Sequence, residues 1–298
     1  MRVEAWVLCI GVILTLFAQS LFAFVELNSG SPTLYVAGDS TAAKDDGSPE
    51  LLGWGEKIGK YISSPVVNDA VSGATTRTYT EQGYFAEIVN VVQPRDIVII
   101  EFGHNDNRSL SDNPTTGDCP GSDLNTTCNI NGTIVYTYNK YMQDAITSLK
   151  EKRAKVIVSS QTPDNPFAIT TNPVFVQYAE DLARFNHLSY IDHFHLLLRE
   201  YEDLGENATN ALFPLGQYVH TSPEGADIAA QAIIRGVLCD VRNPLFPFVT
   251  NTSVVPRMLS AALEVTSRRM YSSHKRKLND GVSGPNCDRI DRVGSLTS

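Results

Sequence analysis

"DIVIIEFG", residues 96–103, carries four consecutive β-branched residues from Ile97 to Ile100 between an acid and a glycine. An apolar run that does not alternate is the pattern of a strand buried on both faces, as in the interior of a parallel sheet. The same texture recurs outward in both directions. Toward the N-terminus stand "TLYVAG" (33–38) and "PVVNDAV" (65–71), and toward the C-terminus "KVIVSS" (155–160) and "LSYID" (188–192). Between and after them the apolar spacing changes to that of helices: Tyr138, Tyr141, Met142, Ala145 and Leu149; Phe175, Tyr178, Ala179 and Leu182; Ala226, Ala229, Ala230, Ile233 and Val237. Strands alternating with helices predict an α/β fold with a central parallel sheet of about five strands.

Open parallel sheets bind ligands beyond the carboxyl ends of their strands, so the residues to read are those that follow each run. They are Ser40 in "YVAGDSTAAK" (35–44), Gly73 after the second run, Asn105 after the third, and His220 in "YVHTSPEGA". Singly, each has an ordinary structural role: a cap, a turn glycine, an Asx turn, a loop histidine. Together they are the parts of an acyl-transfer site, which needs a nucleophile, a base and donors aimed at an oxyanion. Ser40 at a strand-to-helix corner can attack, and a helix N-terminus there favours the negative charge that develops. Gly73 lets a backbone N–H approach substrate, Asn105 offers an amide donor, and His220 stands at a helix entrance capped by Thr221 and Glu224. No Gly-x-Gly-x-x-Gly or Gly-x4-Gly-Lys-Ser/Thr follows the first strand, so a nucleotide cofactor has no visible cradle.

"GDST" (39 being its Asp), "NDAVSG", "EFGHND" and "HTSPEGA" resemble, in order and approximate spacing, the four blocks of the SGNH/GDSL hydrolases, and in particular the fungal rhamnogalacturonan acetylesterases. "GWGE" (53–56), "RTYT" (77–80) and "SSQTPDNP" (159–166) extend the likeness, which runs from about Thr33 to Cys239. The resemblance implies a flavodoxin-like three-layer α/β/α sandwich and a secreted, metal-free and cofactor-free esterase that removes acetyl groups from the rhamnogalacturonan backbone of pectin. It implies Ser40 as nucleophile, His220 as base, and the backbone N–H groups of Ser40 and Gly73 with the Asn105 amide as the oxyanion hole. One position departs from the pattern. The family places an aspartate three residues before the histidine, and this chain has Gln217 in "FPLGQYVH". Gln217 orienting the imidazole through its amide oxygen, Glu224 or Asp227 standing in, and a weakened glycan-binding relative are the competing explanations. Acetylated xylan or another acetylated glycan is the alternative substrate.

The N-terminal "MRVEAWVLCIGVILTLFAQSLFAF" puts one arginine before an apolar stretch too short to span a bilayer and ends in small residues. It reads as a signal peptide over residues 1–23, followed by a catalytic domain over 24–240 and an extension over 241–298 that contains the basic "SRRMYSSHKRK" (267–277). About 275 residues remain after cleavage, enough for one large domain. Secretion favours disulfides, and of the three connectivities open to four cysteines the simplest joins Cys119 to Cys128 and Cys239 to Cys287, tethering the extension. Sequons at Asn107, Asn125, Asn131, Asn207 and Asn251 all fall in segments that read as polar loops and predict a glycoprotein. A net charge of −9 argues against nucleic acid as a partner. The expected protein is thus an extracellular monomer, free of the membrane, acting on acetylated plant cell-wall polysaccharide.

Overall fold

The structure is a computed structural model in which residues 30–44, 48–171 and 173–251 are described. The expected signal peptide, the basic tail and Cys287, and with it the expected Cys239–Cys287 pairing, lie outside the described residues. The compact unit begins at Thr33.

Five parallel strands form the central sheet: β1 (Leu34–Gly38), β2 (Val66–Asn68), β3 (Ile97–Glu101), β6 (Lys155–Ser159) and β7 (Ser189–Ile191), in the order β2-β1-β3-β6-β7. The strands β4 (Thr127–Ile130) and β5 (Thr133–Tyr136) pair separately as an antiparallel hairpin. Leaving the hairpin aside, the sheet has the flavodoxin-like doubly wound order, whose direction of winding reverses between β1 and β3. All five residues of β1 and of β3 are buried, as continuous apolar runs require. The outer strand β2 departs from that reading. Val67 is 39% exposed because β2 is an edge with one neighbour, and only three residues of the seven-residue run pair.

Helices cover both faces. On one, Leu34, Val36, Ile97, Ile99 and Ile157 pack beneath α5 (His193–Leu204) and α7 (Pro223–Cys239). On the other, Ala37, Val98, Ile100 and Val158 pack beneath α1 (Thr76–Glu81), α2 (Tyr84–Val91), α3 (Tyr138–Glu151) and α4 (Val174–Asn186). Successive side chains of a strand point to opposite faces, so each strand feeds both cores, and a fully buried Val, Leu or Ile contributes roughly 1.5–3 kcal/mol. The result is a three-layer α/β/α sandwich. A short helix, α6 (Glu206–Ala211), follows α5.

Packing runs past Asp240. Leu245 is fully buried in the first core, the Ser63 N–H donates to the Phe248 carbonyl, and the Thr250 N–H donates to that of Tyr61. Residues 243–250 therefore belong to the same packed unit, beyond the boundary that the decaying hydrophobic pattern suggests.

Cys119 and Cys128 are joined in a disulfide with Cα atoms 5.4 Å apart, which staples the approach to the hairpin. Four sequon asparagines, Asn107, Asn125, Asn131 and Asn207, are exposed and Asn251 is half-buried. Asn207 corrects one expectation: it lies in α6, because the Glu-Asn-Ala-Thr stretch is a turn of helix after Gly205 and not a loop.

Candidate active site

The sheet reverses its winding between β1 and β3, and the loops leaving these strands diverge there to leave a cleft. Ser40 follows β1 by two residues. It sits in a tight turn and not at the start of a regular helix: the Ala42 and Ala43 N–H groups both donate to the Asp39 carbonyl, and the next element is a single 3-10 turn, Trp54–Glu56. Asp39, 1% exposed, holds this turn by accepting from the Thr41 N–H (2.9 Å) and hydroxyl (2.8 Å) through Oδ1. Burial pushes its carboxyl above the usual carboxylate range. The "GWGE" segment backs the turn from behind. Gly53 and Trp54 donate to the carbonyls of Ala43 and Thr41, and a Cβ on Gly53 would lie 2.2 Å from the Ala42 carbonyl carbon, so only glycine permits this approach.

Under the turn lies a polar cluster that the sequence does not announce. Glu101, the last residue of β3, accepts from Trp54 Nε1 at 2.7 Å and Ser159 Oγ at 2.6 Å and faces His193 Nδ1 at 2.8 Å. His193 Nε2 in turn meets the Ala229 carbonyl at 3.0 Å. Glu101 thereby ties β3 to β6, α5, α7 and the Trp54 turn. Buried polar groups are retained only when satisfied, and these are.

His220 reaches the same cleft from the other end of the chain. Its Nε2 is 2.9 Å from Ser40 Oγ, and its Nδ1 is 3.0 Å from Gln217 Oε1. Both are hydrogen-bond distances. An amide oxygen only accepts, so Nδ1 carries the proton and Nε2 presents its lone pair to the serine hydroxyl. The loop that brings Gln217 there turns through two left-handed residues, Leu215 (φ 60°) and Gly216 (φ 69°). The first costs about 1–2 kcal/mol for a residue with a Cβ. Asp227 is engaged elsewhere, with Lys60 at 2.9 Å. Glu224 does not cap α7 with Thr221: the cap is Ser222, whose hydroxyl accepts from the Gly225 N–H, because Pro223 occupies the first helical position and shifts the start by one residue. The Thr221 hydroxyl donates instead to the Leu52 carbonyl.

Gly73 has φ +75°, and a Cβ there would meet nothing within 4 Å. The position thus requires glycine for its left-handed backbone and not for want of space. Neither the Ser40 nor the Gly73 N–H donates to a backbone carbonyl among the described residues. Asn105 Nδ2 donates to the Ala74 carbonyl at 3.1 Å, and its Oδ1 accepts from Arg108 at 2.7 Å. One amide hydrogen remains for another acceptor. Ser40, Lys44, Gln217 and His220 line a cavity of about 190 Å³. Among the described residues no group of three His, Cys, Asp or Glu side chains could hold a metal ion.

Next to Asn105 a second carboxyl cluster pins the loop. Asp106 Oδ1 accepts from the Thr76 N–H at 2.7 Å, and the Thr76 hydroxyl lies 2.8 Å from that same oxygen and 3.1 Å from Asp118 Oδ2. One hydroxyl proton cannot serve both acids. Burial, and then the neighbouring Asp106 charge, push the Asp118 carboxyl up to about 10, so it stays protonated and donates to Asp106. In the unfolded chain Asp118 releases its proton near pH 4, whereas the folded protein keeps it to about 10, so rising pH between those values favours unfolding. Asp118→Asn retains a donor without that proton. Its stability relative to the wild type's is expected to rise from pH 5 to pH 9 by up to ~1.4 kcal/mol per pH unit, seen as a widening gap between the two thermal midpoints. Parallel curves of midpoint against pH in scanning calorimetry would refute the shared proton.

Residues 36–228 match the family described as GDSL-like lipase/acylhydrolase. The chain is 40% identical over 216 residues to rhamnogalacturonan acetylesterase of Emericella nidulans, which covers 70% of this chain and 85% of that protein. It is 23% identical over 214 residues to the probable rhamnogalacturonan acetylesterase YesY of Bacillus subtilis, covering 68% and 91% of the two chains. Among solved structures it shares its fold with the Bacillus subtilis protein YXIM, with a TM-score of 0.58, 22% identity, and 70% of this chain against 56% of that one. A similar likeness holds for a catalytic mutant of Axe2, an acetylxylan esterase from Geobacillus stearothermophilus, with a TM-score of 0.50, 20% identity, and coverage of 70% and 95%.

Proposed function

Because the chain belongs to the GDSL-like lipase/acylhydrolase family and is a carboxylic ester hydrolase similar to the rhamnogalacturonan acetylesterases, we propose that it is a secreted enzyme removing acetyl groups from the rhamnogalacturonan backbone of pectin. The observation that carries the reading is the chain of contacts Gln217–His220–Ser40, at 3.0 and 2.9 Å, in a chain 40% identical to a rhamnogalacturonan acetylesterase. His220 Nε2 takes the Ser40 Oγ proton as Oγ attacks the acetyl carbonyl. The oxyanion so formed meets the N–H groups of Ser40 and Gly73 and the remaining amide hydrogen of Asn105. Collapse expels the sugar alkoxide, which receives the proton from His220, and leaves an acetyl group on Ser40. Water, deprotonated by the same nitrogen, hydrolyses this ester and restores the hydroxyl with release of acetate. The amide oxygen of Gln217 holds the imidazole in the required tautomer throughout. Acetate released from acetylated rhamnogalacturonan and from acetylated xylan tests the reading: kcat/KM at least tenfold higher on the former is expected, and equal or reversed values would assign the xylan alternative.

Glutamine orients His220 without supplying the charge that stabilises an imidazolium. A carboxylate 3.0 Å from Nδ1 would favour the protonated ring and the transition state that contains it. Gln217→Asp is therefore expected to raise kcat at neutral pH and to move the acidic limb of the kcat/KM profile to higher pH. Its gain should be well below the ~10⁴-fold change seen for the serine-protease aspartate, since aspartate is one methylene shorter than the glutamine whose Oε1 now lies 3.0 Å from Nδ1. An acidic limb that stays in place would mean that residue 217 does not act on the base.

A further inference from the structure

The loop that leaves β3 folds back on itself. The Arg108 N–H donates to the Asn105 carbonyl at 3.2 Å, which makes residues 105–108 a reverse turn, and the bonds from Thr76 to Asp106 pin its second position. The turn returns the half-buried Arg108 side chain to the residue that begins it: Nη2 donates to Asn105 Oδ1 at 2.7 Å. From the other side the Ala74 carbonyl accepts from Asn105 Nδ2 at 3.1 Å. A guanidinium only donates and a carbonyl only accepts, so these two neighbours select one of the two orientations of the amide, oxygen toward Arg108 and nitrogen toward the Gly73–Ala74 loop. Arg108 has no competing use for its charge. Arg77, Arg184, Arg235 and Arg242 each pair with a carboxylate, whereas Arg108 pairs with none among the described residues. A hydrogen bond from a charged donor is roughly twice as strong as one between neutral groups. Accepted at Oδ1, it draws electron density away from the amide nitrogen and makes the hydrogens of Nδ2 better donors, as in any chain of polarised hydrogen bonds.

We propose that Arg108 is a positioning residue for ester hydrolysis: it holds the Asn105 amide with its free hydrogen toward the oxyanion and strengthens that hydrogen as a donor, acting through Asn105 and not on the substrate. The proposal deepens the esterase reading and rests on it for the role of Asn105. Because the guanidinium keeps its charge at every pH at which the protein is folded, the polarisation is constant and does not titrate with His220. Arg108 therefore contributes to the transition state, where the charge on the oxyanion is largest, and little to the binding of the neutral ester.

A double-mutant cycle on p-nitrophenyl acetate tests it, since that ester is neutral and carries no sugar for an arginine to bind. Arg108→Met keeps the length of the side chain and removes its charge and donors. In the full chain it is expected to lower kcat about tenfold with less than a twofold change in KM, and Arg108→Lys, which keeps the charge and one donor, about threefold. In the Asn105→Ala background both substitutions should cost less than twofold, because the group they act through is gone. An arginine that only stabilised the loop would lower activity equally in both backgrounds. Equal losses in the two backgrounds, a loss confined to KM, or an Arg108→Met kcat within twofold of the wild type would overturn the proposal while an active wild type and an inactive Ser40→Ala leave the esterase reading standing. A wild type that hydrolyses no ester would refute that reading, and the role of Arg108 with it. Should Arg108→Met not fold, as calorimetry would show, the cycle is decided by Arg108→Lys, whose threefold loss must vanish without Asn105.

Discussion

Ser40→Ala is expected to lower kcat on any acetyl ester by roughly 10⁴–10⁶ while the protein folds as before. The size follows from what the hydroxyl is proposed to do. Without Oγ no acetyl-enzyme forms, and what remains is attack by water on a carbonyl still polarised by the oxyanion donors. The stability expectation follows from what the hydroxyl touches. Ser40 is half-buried and its Oγ meets His220 at 2.9 Å, while the turn itself is held by the Asp39 carboxylate and the backbone bonds of Ala42 and Ala43. Removing one oxygen opens no cavity in the core, so the thermal midpoint should stay within about 2 °C of the wild type. Acetate release and calorimetry on the same two preparations decide it. A kcat within tenfold of the wild type would remove Ser40 from the chemistry, and a large fall in midpoint would make the loss of activity uninterpretable as catalysis.

Asn105→Ala comes second, with an expected fall in kcat of about 10²–10³ and a smaller change in KM. A donor used on the oxyanion acts in the transition state and little in the ground state, which is why the loss should appear in kcat. The structure adds a second consequence. Asn105 Nδ2 also donates to the Ala74 carbonyl, next to Gly73, so the alanine variant frees the loop that carries another proposed oxyanion donor. Asn105→Asp loses the same two donor contacts and adds a test of the charge that the position tolerates. Its side chain retains an acceptor for Arg108, 2.7 Å away in the wild type, but has no amide hydrogen for either the oxyanion or Ala74. Its kcat should be at least as low as that of the alanine variant, since a carboxylate there repels the developing charge. A loss confined to KM in both variants would make Asn105 a binding residue only.

Much of this protein is legible in its sequence because the information is local. The non-alternating apolar runs at 34–38 and 97–100 read as interior strands, and the helical spacing of Tyr138 to Leu149 and of Ala226 to Val237 identifies two of the helices that cover the sheet. From these the three-layer α/β/α order follows, and with it the expectation that Ser40, Gly73, Asn105 and His220 stand at strand ends. Whether they meet is a different kind of question. Ser40 and His220 are 180 residues apart, and only the order β2-β1-β3-β6-β7 brings their loops to one cleft. The contact of Gln217 with His220 likewise depends on two left-handed residues that no propensity predicts at Leu215. Pro223 fixes Ser222 as the cap of α7, a local signal that competes with the Thr-x-x-Glu pattern beginning one residue earlier. Glu101, Trp54 and His193 were illegible as a cluster, since each is an ordinary residue until four elements converge on it. Local pattern determines which elements form, because a few neighbouring side chains decide a strand or a helix; the site is tertiary, because its groups interact across distances in the chain that only the assembled sheet closes.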